Sequence, residues 1–418
     1  LRNNPDDQTL RLGMTELCLE MNDLSEANKL SKPLFRNFKP TLNQAFSFSN
    51  ILLKLGKFDE ALARFHEATE SHRRQAEKLD RKTRLSFDTT CWNFALMLLR
   101  KGLLNRGWEL FEHGRRVPNG RGAFQRTVFK AFPNSKIPEW NGSSLSGKRL
   151  LINGEQGIGD VMMFTMLIPP LLEEAQKIGI ITYDRLTPIY KRSFPECSIY
   201  DTKNIKKGAI NYKEWDFQVP MGSLPMLRYQ SINKYSNLKP FLKTNQQVKN
   251  QLMRRYKSRN NHLIGFSWKG GGNAKQKRTK SLQLEEMLPL FKLPGIDWIS
   301  LQYGNVTAEI EEFNEKHNLN LIVPENIDPL KDMDRWCCLV NCCDQIISAA
   351  NTTIHGAGCQ GIPTTVILAA NPDWRWLGDP DTHCYWYPSV KVVRQEVVGD
   401  WFHAIDQITK DLENSNKN

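Results

Sequence analysis

The sequence predicts an α/β protein with an all-α N-terminal region, in which a short solenoid of helical hairpins precedes two parallel-sheet halves that face a cleft. Three observations carry this. A seven-residue motif recurs near the start of the chain. A connector rich in Pro, Gly, Asn and Ser spans 117–147. From Lys148 onward short apolar runs alternate with helical segments, the pattern of a parallel sheet with crossover helices.

The repeated motif is Met21-Asn22-Asp23-Leu24-Ser25-Glu26-Ala27, which returns as Leu55-Gly56-Lys57-Phe58-Asp59-Glu60-Ala61. Ala27 and Ala61 are 34 positions apart, the tetratricopeptide period. Phe65 and Ala68 follow at +4 and +7, the spacing that lets a second helix press its apolar face on the first. A looser third copy, Lys101-Gly102-Leu103-Leu104-Asn105-Arg106-Gly107 with Phe111 beyond it, is offset by 46, which places an insertion in the charged stretch 71–84. Residues 1–116 are therefore expected to form TPR-like helical repeats whose concave face holds a peptide or partner. A helical cap that only stabilises the next domain explains the same pattern.

After the linker 117–147, a first half at 148–245 has expected strands at 150–152, 180–183 and 217–220. A second half at 246–412 has them at 263–268, 298–301, 345–348 and 365–368. The polar segment 243–261 between them carries a helix of its own. Two Rossmann-like domains facing a cleft are the simplest assembly.

Composition narrows the function. At 418 residues, with 40% hydrophobic and 24% charged side chains, the chain reads as two or three globular domains and not as a disordered protein. It has no run approaching about 18 apolar residues, and 1–8 is polar, so the expectation is a cytoplasmic protein without a transmembrane segment. Nine cysteines cannot all pair, which fits a reducing compartment. Cys337, Cys338, Cys342 and Cys343 fall in one expected helix, 332–343, without the second half of a zinc site, and are read as small buried side chains. The net charge of +12 raises a nucleic-acid reading, yet part of the excess lies in the loop 269–280, beside glycines and not interleaved with aromatics. A diphosphate needs only that local patch, so no nucleic acid is expected.

Three loops carry the chemistry. The first, Gly154-Glu155-Gln156-Gly157-Ile158-Gly159-Asp160, lies between a strand and an apolar helix expected over 161–172. Gly157 and Gly159 let the backbone turn and approach a ligand. The order is not G-x-G-x-x-G and no acidic ribose partner follows about 20 residues on, which excludes a dinucleotide fingerprint. Asp160 sits where a carboxylate either caps the helix or, like Glu155, serves as general base to an acceptor hydroxyl.

The second loop runs from Ser267, Trp268, Lys269 and Gly270 through Gly271, Gly272 and Asn273 to Lys275, Lys277, Arg278, Lys280 and Ser281. Its glycines free amides and its cations supply charge for a phosphate, with Lys269 and Arg278 as the expected contacts, although a solvated basic loop accounts for the charges alone. The third, Asn351-Thr352-Thr353-Ile354-His355-Gly356-Ala357-Gly358, offers hydroxyls and amides at a helix start, with His355 either a ligand contact or an ordinary satisfied polar residue. Trp374-Arg375-Trp376 and Trp386-Tyr387 either stack on a base or sugar or pack between the halves. Asp332-Met333-Asp334 and Asp379-Pro380-Asp381 spell Asp-x-Asp, a match short enough to arise by chance, and no metal is assigned.

These pieces together, over about 138–395, resemble the tetratricopeptide-linked glycosyltransferases related to bacterial heptosyltransferases and, more distantly, to protein O-linked N-acetylglucosamine transferase. The matching text is Pro138-Glu139-Trp140-Asn141-Gly142, Glu155 through Asp160, Ser300-Leu301-Gln302, His355-Gly356-Ala357-Gly358 with Gly361 and Pro363, Asp373-Trp374-Arg375-Trp376, Trp386-Tyr387-Pro388 and Arg394-Gln395. The resemblance implies a GT-B fold, no required metal or cofactor, and a nucleotide-diphosphate sugar as co-substrate held mainly by the C-terminal half, where the loops read above make Lys269, Gly270, Arg278, Gln302, Asn351, Thr352, Thr353 and His355 the expected donor-binding residues. It maps the family's aspartate on Asp160 and its histidine on His355. It also implies a protein acceptor or partner reached through the TPR-like region. One position departs from the pattern: Ala350 stands where relatives carry an acidic residue. Two rivals remain, a catalytically silent TPR interaction module and a lipopolysaccharide-type glycan transferase.

Overall fold

The computed structural model describes residues 7–21, 23–35, 42–74, 80–119, 123–129, 137–271, 274–378 and 382–415. Asn22, Gly272, Asn273 and the Asp379-Pro380-Asp381 spelling lie outside them, as does the side chain of Lys275. The chain forms two compact units, one of residues 1–127, 230–232 and 371–379, the other of 128–229, 233–370 and 380–418.

Among the described residues the first unit holds three helical hairpins: α1 (Gln8–Glu20) with α2 (Leu24–Ser31), α3 (Leu42–Lys54) with α4 (Phe58–Arg74), and α5 (Arg81–Arg100) with α6 (Leu104–Phe111). Asp7, Asp23 and Asp80 begin α1, α2 and α5 by accepting amides of the first turn, as short acidic caps do. All three hairpins turn through the same hydrogen bond: Asp23 N–H donates to the Cys18 carbonyl (2.8 Å), Lys57 to Leu52 and Leu103 to Leu98 (both 2.9 Å). Gly56 and Gly102 occupy the left-handed position of that turn at φ of +76° and +79°. The recurring small residue explains the rest of the motif. Ala27 and Ala61 are fully buried, and a Cβ on Gly107 would lie 2.7 Å from a Leu99 methyl. The insertion in the third copy lengthens helices: α4 and α5 have 17 and 20 residues, against 8 and 13 in α2 and α3.

Residues 371–379 belong to this unit although they lie far on in sequence. Trp374 packs against Phe111 and Trp108 (ring centroids 4.9 and 6.0 Å), Arg100 Nη2 donates to Asn371 Oδ1 (3.1 Å) and Gly378 N–H to the Leu99 carbonyl (3.2 Å). Trp374 thus fills the helical core, which neither sequence expectation for it foresaw. Trp386 does pack between elements of the two sheets described next, edge-on to Phe164 (5.9 Å) and Tyr235 (5.0 Å).

The second unit contains two wholly parallel sheets. The first has β1 (Arg149–Asn153), β2 (Lys177–Thr182), β3 (Ser198–Asp201) and β4 (Phe217–Pro220) in the order β3-β2-β1-β4. The second has β5 (His262–Ser267), β6 (Ile296–Ser300), β7 (Gln345–Ala349), β8 (Thr364–Leu368) and β9 (Val390–Arg394) in the order β6-β5-β7-β8-β9. Central strands are buried on both faces, as in β8, and so read as apolar runs. β3 and β9 escaped the sequence reading because neither is a continuous apolar run: β3 is four half-buried residues, and β9 exposes Lys391 between buried valines, whereas the edge strands β4 and β6 were read.

The helix after β1, α7 (Ile158–Thr165), starts three residues earlier and ends sooner than the expected 161–172. Proline cannot donate to a preceding turn, and Pro169 instead opens the separate short helix Pro169–Leu172. The helix expected over 332–343 is Met333–Val340, N-capped by Asp332, and the one expected in 243–261 is Gln246–Tyr256, capped by Asn245. The four clustered cysteines are buried and free. Among the described residues no group of three or more acidic, His or Cys side chains is placed to hold a metal, and no helix is long and apolar enough to cross a membrane.

Candidate functional site

In an open parallel sheet, crossovers that leave in opposite directions open a crevice at the carboxyl ends of the strands. In the first sheet that point falls between β1 and β4. Glu155, just past β1, is fully buried; its Oε2 accepts the Gly222 amide beyond β4 (3.1 Å) and its Oε1 accepts Gln156 Nε2 (3.2 Å). The carboxylate therefore ties the two loops together. Gln156 takes a left-handed backbone, φ +60°, a costly conformation for a residue with a Cβ. Its carbonyl accepts the hydroxyl of Tyr183, which follows β2. Burial first, and then the Asp160 charge, push the Tyr183 phenol up, so it remains a donor. Asp160 is the third residue of α7 and is 7% exposed, with Oδ2 accepting the Gly157 amide at 3.1 Å, a capping-box contact.

The second sheet diverges between β5 and β7. Gln302 Oε1 accepts three donors from the end of β5: Ser267 Oγ (2.8 Å), the Trp268 amide (3.1 Å) and the Lys269 amide (2.8 Å). Asn351, after β7, reaches the same loop, with Nδ2 donating to Ser267 Oγ (2.6 Å) and to the Lys269 carbonyl (3.1 Å). Its Oδ1 accepts the Thr353 amide (2.8 Å) and so caps the helix Thr352–Gly358. Both amide side chains organise backbone. The Lys269 ammonium pairs with Glu309, which also accepts Trp268 Nε1 (3.2 Å), and it lies 5.4 Å from the centre of the Trp268 ring.

Beyond β5 and β6 opens a cavity of about 440 Å³ lined by Lys269, Gly270, Lys277, Arg278, Ser281, Gln302 and Tyr303, with Leu282 and Val306 as apolar wall. Its volume lies in the usual range for small-molecule sites. Four expected donor residues, Lys269, Gly270, Arg278 and Gln302, meet here. The other four, Asn351, Thr352, Thr353 and His355, lie on the neighbouring helix start.

The two sheets meet at Gly159. A Cβ there would sit 2.8 Å from His355 Cδ2, and 3.5 Å from both His355 Nε2 and Thr352 Oγ1. Gly159, the residue before Asp160, is therefore packed against His355 of the other sheet, while the Asp160 carboxylate turns back to the Gly157 amide. Lys269 is tied by its carbonyl to Asn351 at the start of the His355 helix, while its ammonium is directed to Glu309. Arg192 Nη1 on Asp334 Oδ2 (3.2 Å) and Cys359 Sγ on the Met162 carbonyl (3.4 Å) brace the same meeting. Tyr183, Gly222, Glu309 and Tyr303 were missed as site residues. Only Tyr303 left a local signal, directly after Gln302.

No family model matches the chain. Protein FlbA of Caulobacter vibrioides is 30% identical over 337 residues, which cover 76% of this chain and 54% of that protein; the chain thus spans about half the length of the curated relative it matches. Among solved structures, ADP-heptose lipopolysaccharide heptosyltransferase II of E. coli aligns at 14% identity and TM-score 0.43, covering 64% of this chain and 99% of that one. A family 9 glycosyl transferase of Veillonella parvula aligns at 11% and 0.44, covering 66% and 99%. E. coli heptosyltransferase WaaC with ADP-2-deoxy-2-fluoro heptose aligns at 10% and 0.39, covering 63% and 99%.

Proposed function

We propose that the second unit is a metal-independent GT-B glycosyltransferase that moves a sugar from a nucleotide-diphosphate donor to an acceptor hydroxyl by direct displacement with inversion. The observation that carries the reading is the meeting at Gly159 of an acidic loop from one sheet with a histidine-bearing helix from the other, beside a cation-lined cavity. A displacement needs a base on the acceptor side and positive charge on the leaving side. Asp160 takes the hydroxyl proton as the acceptor oxygen bonds to the anomeric carbon, and the bond from that carbon to the diphosphate breaks. Arg278 and Lys277 line the cavity where charge then develops, and fixed cations there lower the barrier. Glu155 has both carboxylate oxygens committed to backbone and loop, so it acts as scaffold and leaves the base role to Asp160.

The helical unit supplies the acceptor in this reading, a protein bound along its hairpins. Replacing Asp160 with Asn tests the mechanism. Transfer from a panel of UDP-, GDP- and ADP-sugars should fall about 10²- to 10⁴-fold with donor affinity nearly unchanged. Turnover equal to wild type removes Asp160 from the chemistry.

A further inference from the structure

The His355-Gly356-Ala357-Gly358 run makes room for one buried side chain. Tyr387 is 1% exposed, and its ring lies so close to the helix that a Cβ on Gly358 would stand 2.3 Å from Tyr387 Cγ. From that slot the hydroxyl reaches back one turn to His355 Nδ1 at 2.8 Å. The opposite edge of the imidazole, Cδ2 and Nε2, faces Gly159. Burial raises the Tyr387 phenol well above its usual value, so the group keeps its proton. Two acceptors are in reach of that proton. Cys359 Sγ is itself a donor to the Met162 carbonyl, and a thiol sulfur accepts weakly, whereas an imidazole nitrogen accepts well. The proton therefore goes to Nδ1, and a neutral imidazole that accepts at Nδ1 carries its own hydrogen on Nε2.

We infer that Tyr387 is a positioning residue that locks His355 in the Nε2–H tautomer, making His355 a hydrogen-bond donor to an anionic oxygen in the crevice and not a second base. The assignment rests on the proposed transferase reading for its purpose, but not for its geometry. With the hydrogen on Nδ1, the imidazole would turn a lone pair toward the departing diphosphate and oppose it. With the hydrogen on Nε2, it adds a directed donor to the positive charge of Arg278 and Lys277, and Asp160 is left as the base.

The test is ¹⁵N-histidine NMR at about pH 8.5, where unperturbed imidazoles are neutral, with His355 assigned by the signal lost in His355→Gln. The expected wild-type pattern is a protonated Nε2 and a bare Nδ1, and Tyr387→Phe should give a mixture of tautomers. In turnover, Tyr387→Phe should lower kcat about tenfold with the donor KM unchanged. It should have little further effect in His355→Gln, whose amide nitrogen supplies a donor near the Nε2 position without needing Tyr387. A protonated Nδ1 in the wild-type spectrum overturns the inference without recourse to any variant. So does an unchanged tautomer in Tyr387→Phe, or an equal loss of kcat in both backgrounds. A locked Nε2–H in a protein that transfers no sugar would reject the proposed function and leave the tautomer assignment standing.

Discussion

At Gly159 α7 packs against the imidazole of His355 without room for a Cβ. Gly159→Ala places a methyl 2.8 Å from His355 Cδ2, so the ring must move. Small misplacements of a reacting constellation are costly, and turnover should fall about tenfold or more. Urea or thermal unfolding should shift little; a variant with wild-type kcat would deny that the spacing matters. Gln302→Ala is predicted to act differently. It strips one acceptor from three donors, and the buried amide of Trp268, left without it, should cost about 1–3 kcal/mol of stability, read as a lower Tm, along with weaker donor binding. The loops themselves were legible because glycines and hydroxyls directly after apolar runs mark the ends of parallel strands. What those loops spend their side chains on was not. That the Lys269 charge goes to Glu309, or that Gln302 and Asn351 bind backbone, depends on partners tens of residues away with no local pattern.

Among elements, the hairpin repeat was readable from seven residues because its turn needs a left-handed position and its packing needs a small one. The central strands of both sheets were readable as apolar runs. β3 and β9 were not, since β3 is half-buried throughout and β9 breaks its buried valines with the exposed Lys391, so neither forms such a run. The segment 371–379 left no signal of its destination, because aromatic residues mark burial without naming the partner. Its packing on α5 and α6 predicts that Trp374→Ala opens a void beside Trp108 and Phe111 and destabilises the helical unit by about 3–5 kcal/mol, seen as an earlier unfolding transition. An unchanged transition would show that the segment is not part of that core.

For the whole chain, acid sensitivity follows from a clamp at the amino ends of β1 and β4. Asp216 accepts the Arg149 amide (2.9 Å) and both arms of its guanidinium (3.0 Å each), and these hydrogen bonds hold its carboxyl down to about 2. A carboxyl with a depressed folded pKa stabilises above its unfolded value, about 3.9, and loses that contribution as pH falls toward 2. Both side chains are about a third exposed, at 35% and 31%, so solvent screening keeps the clamp's contribution modest. Asp216→Asn should lower Tm at pH 7, and the gap to wild type should close between about pH 4 and 2. A constant gap would contradict the assignment.

The central claim is that loops from the two sheets form a seat for a sugar-linked diphosphate. Its most direct test is a thermal-shift titration of the whole chain with UDP, GDP, ADP and their sugar conjugates. One nucleotide series should raise Tm in proportion to the logarithm of ligand concentration, and the rise should shrink in Arg278→Ala. If no nucleoside diphosphate or nucleotide sugar moves the wild-type midpoint at millimolar concentration, the seat does not exist as described.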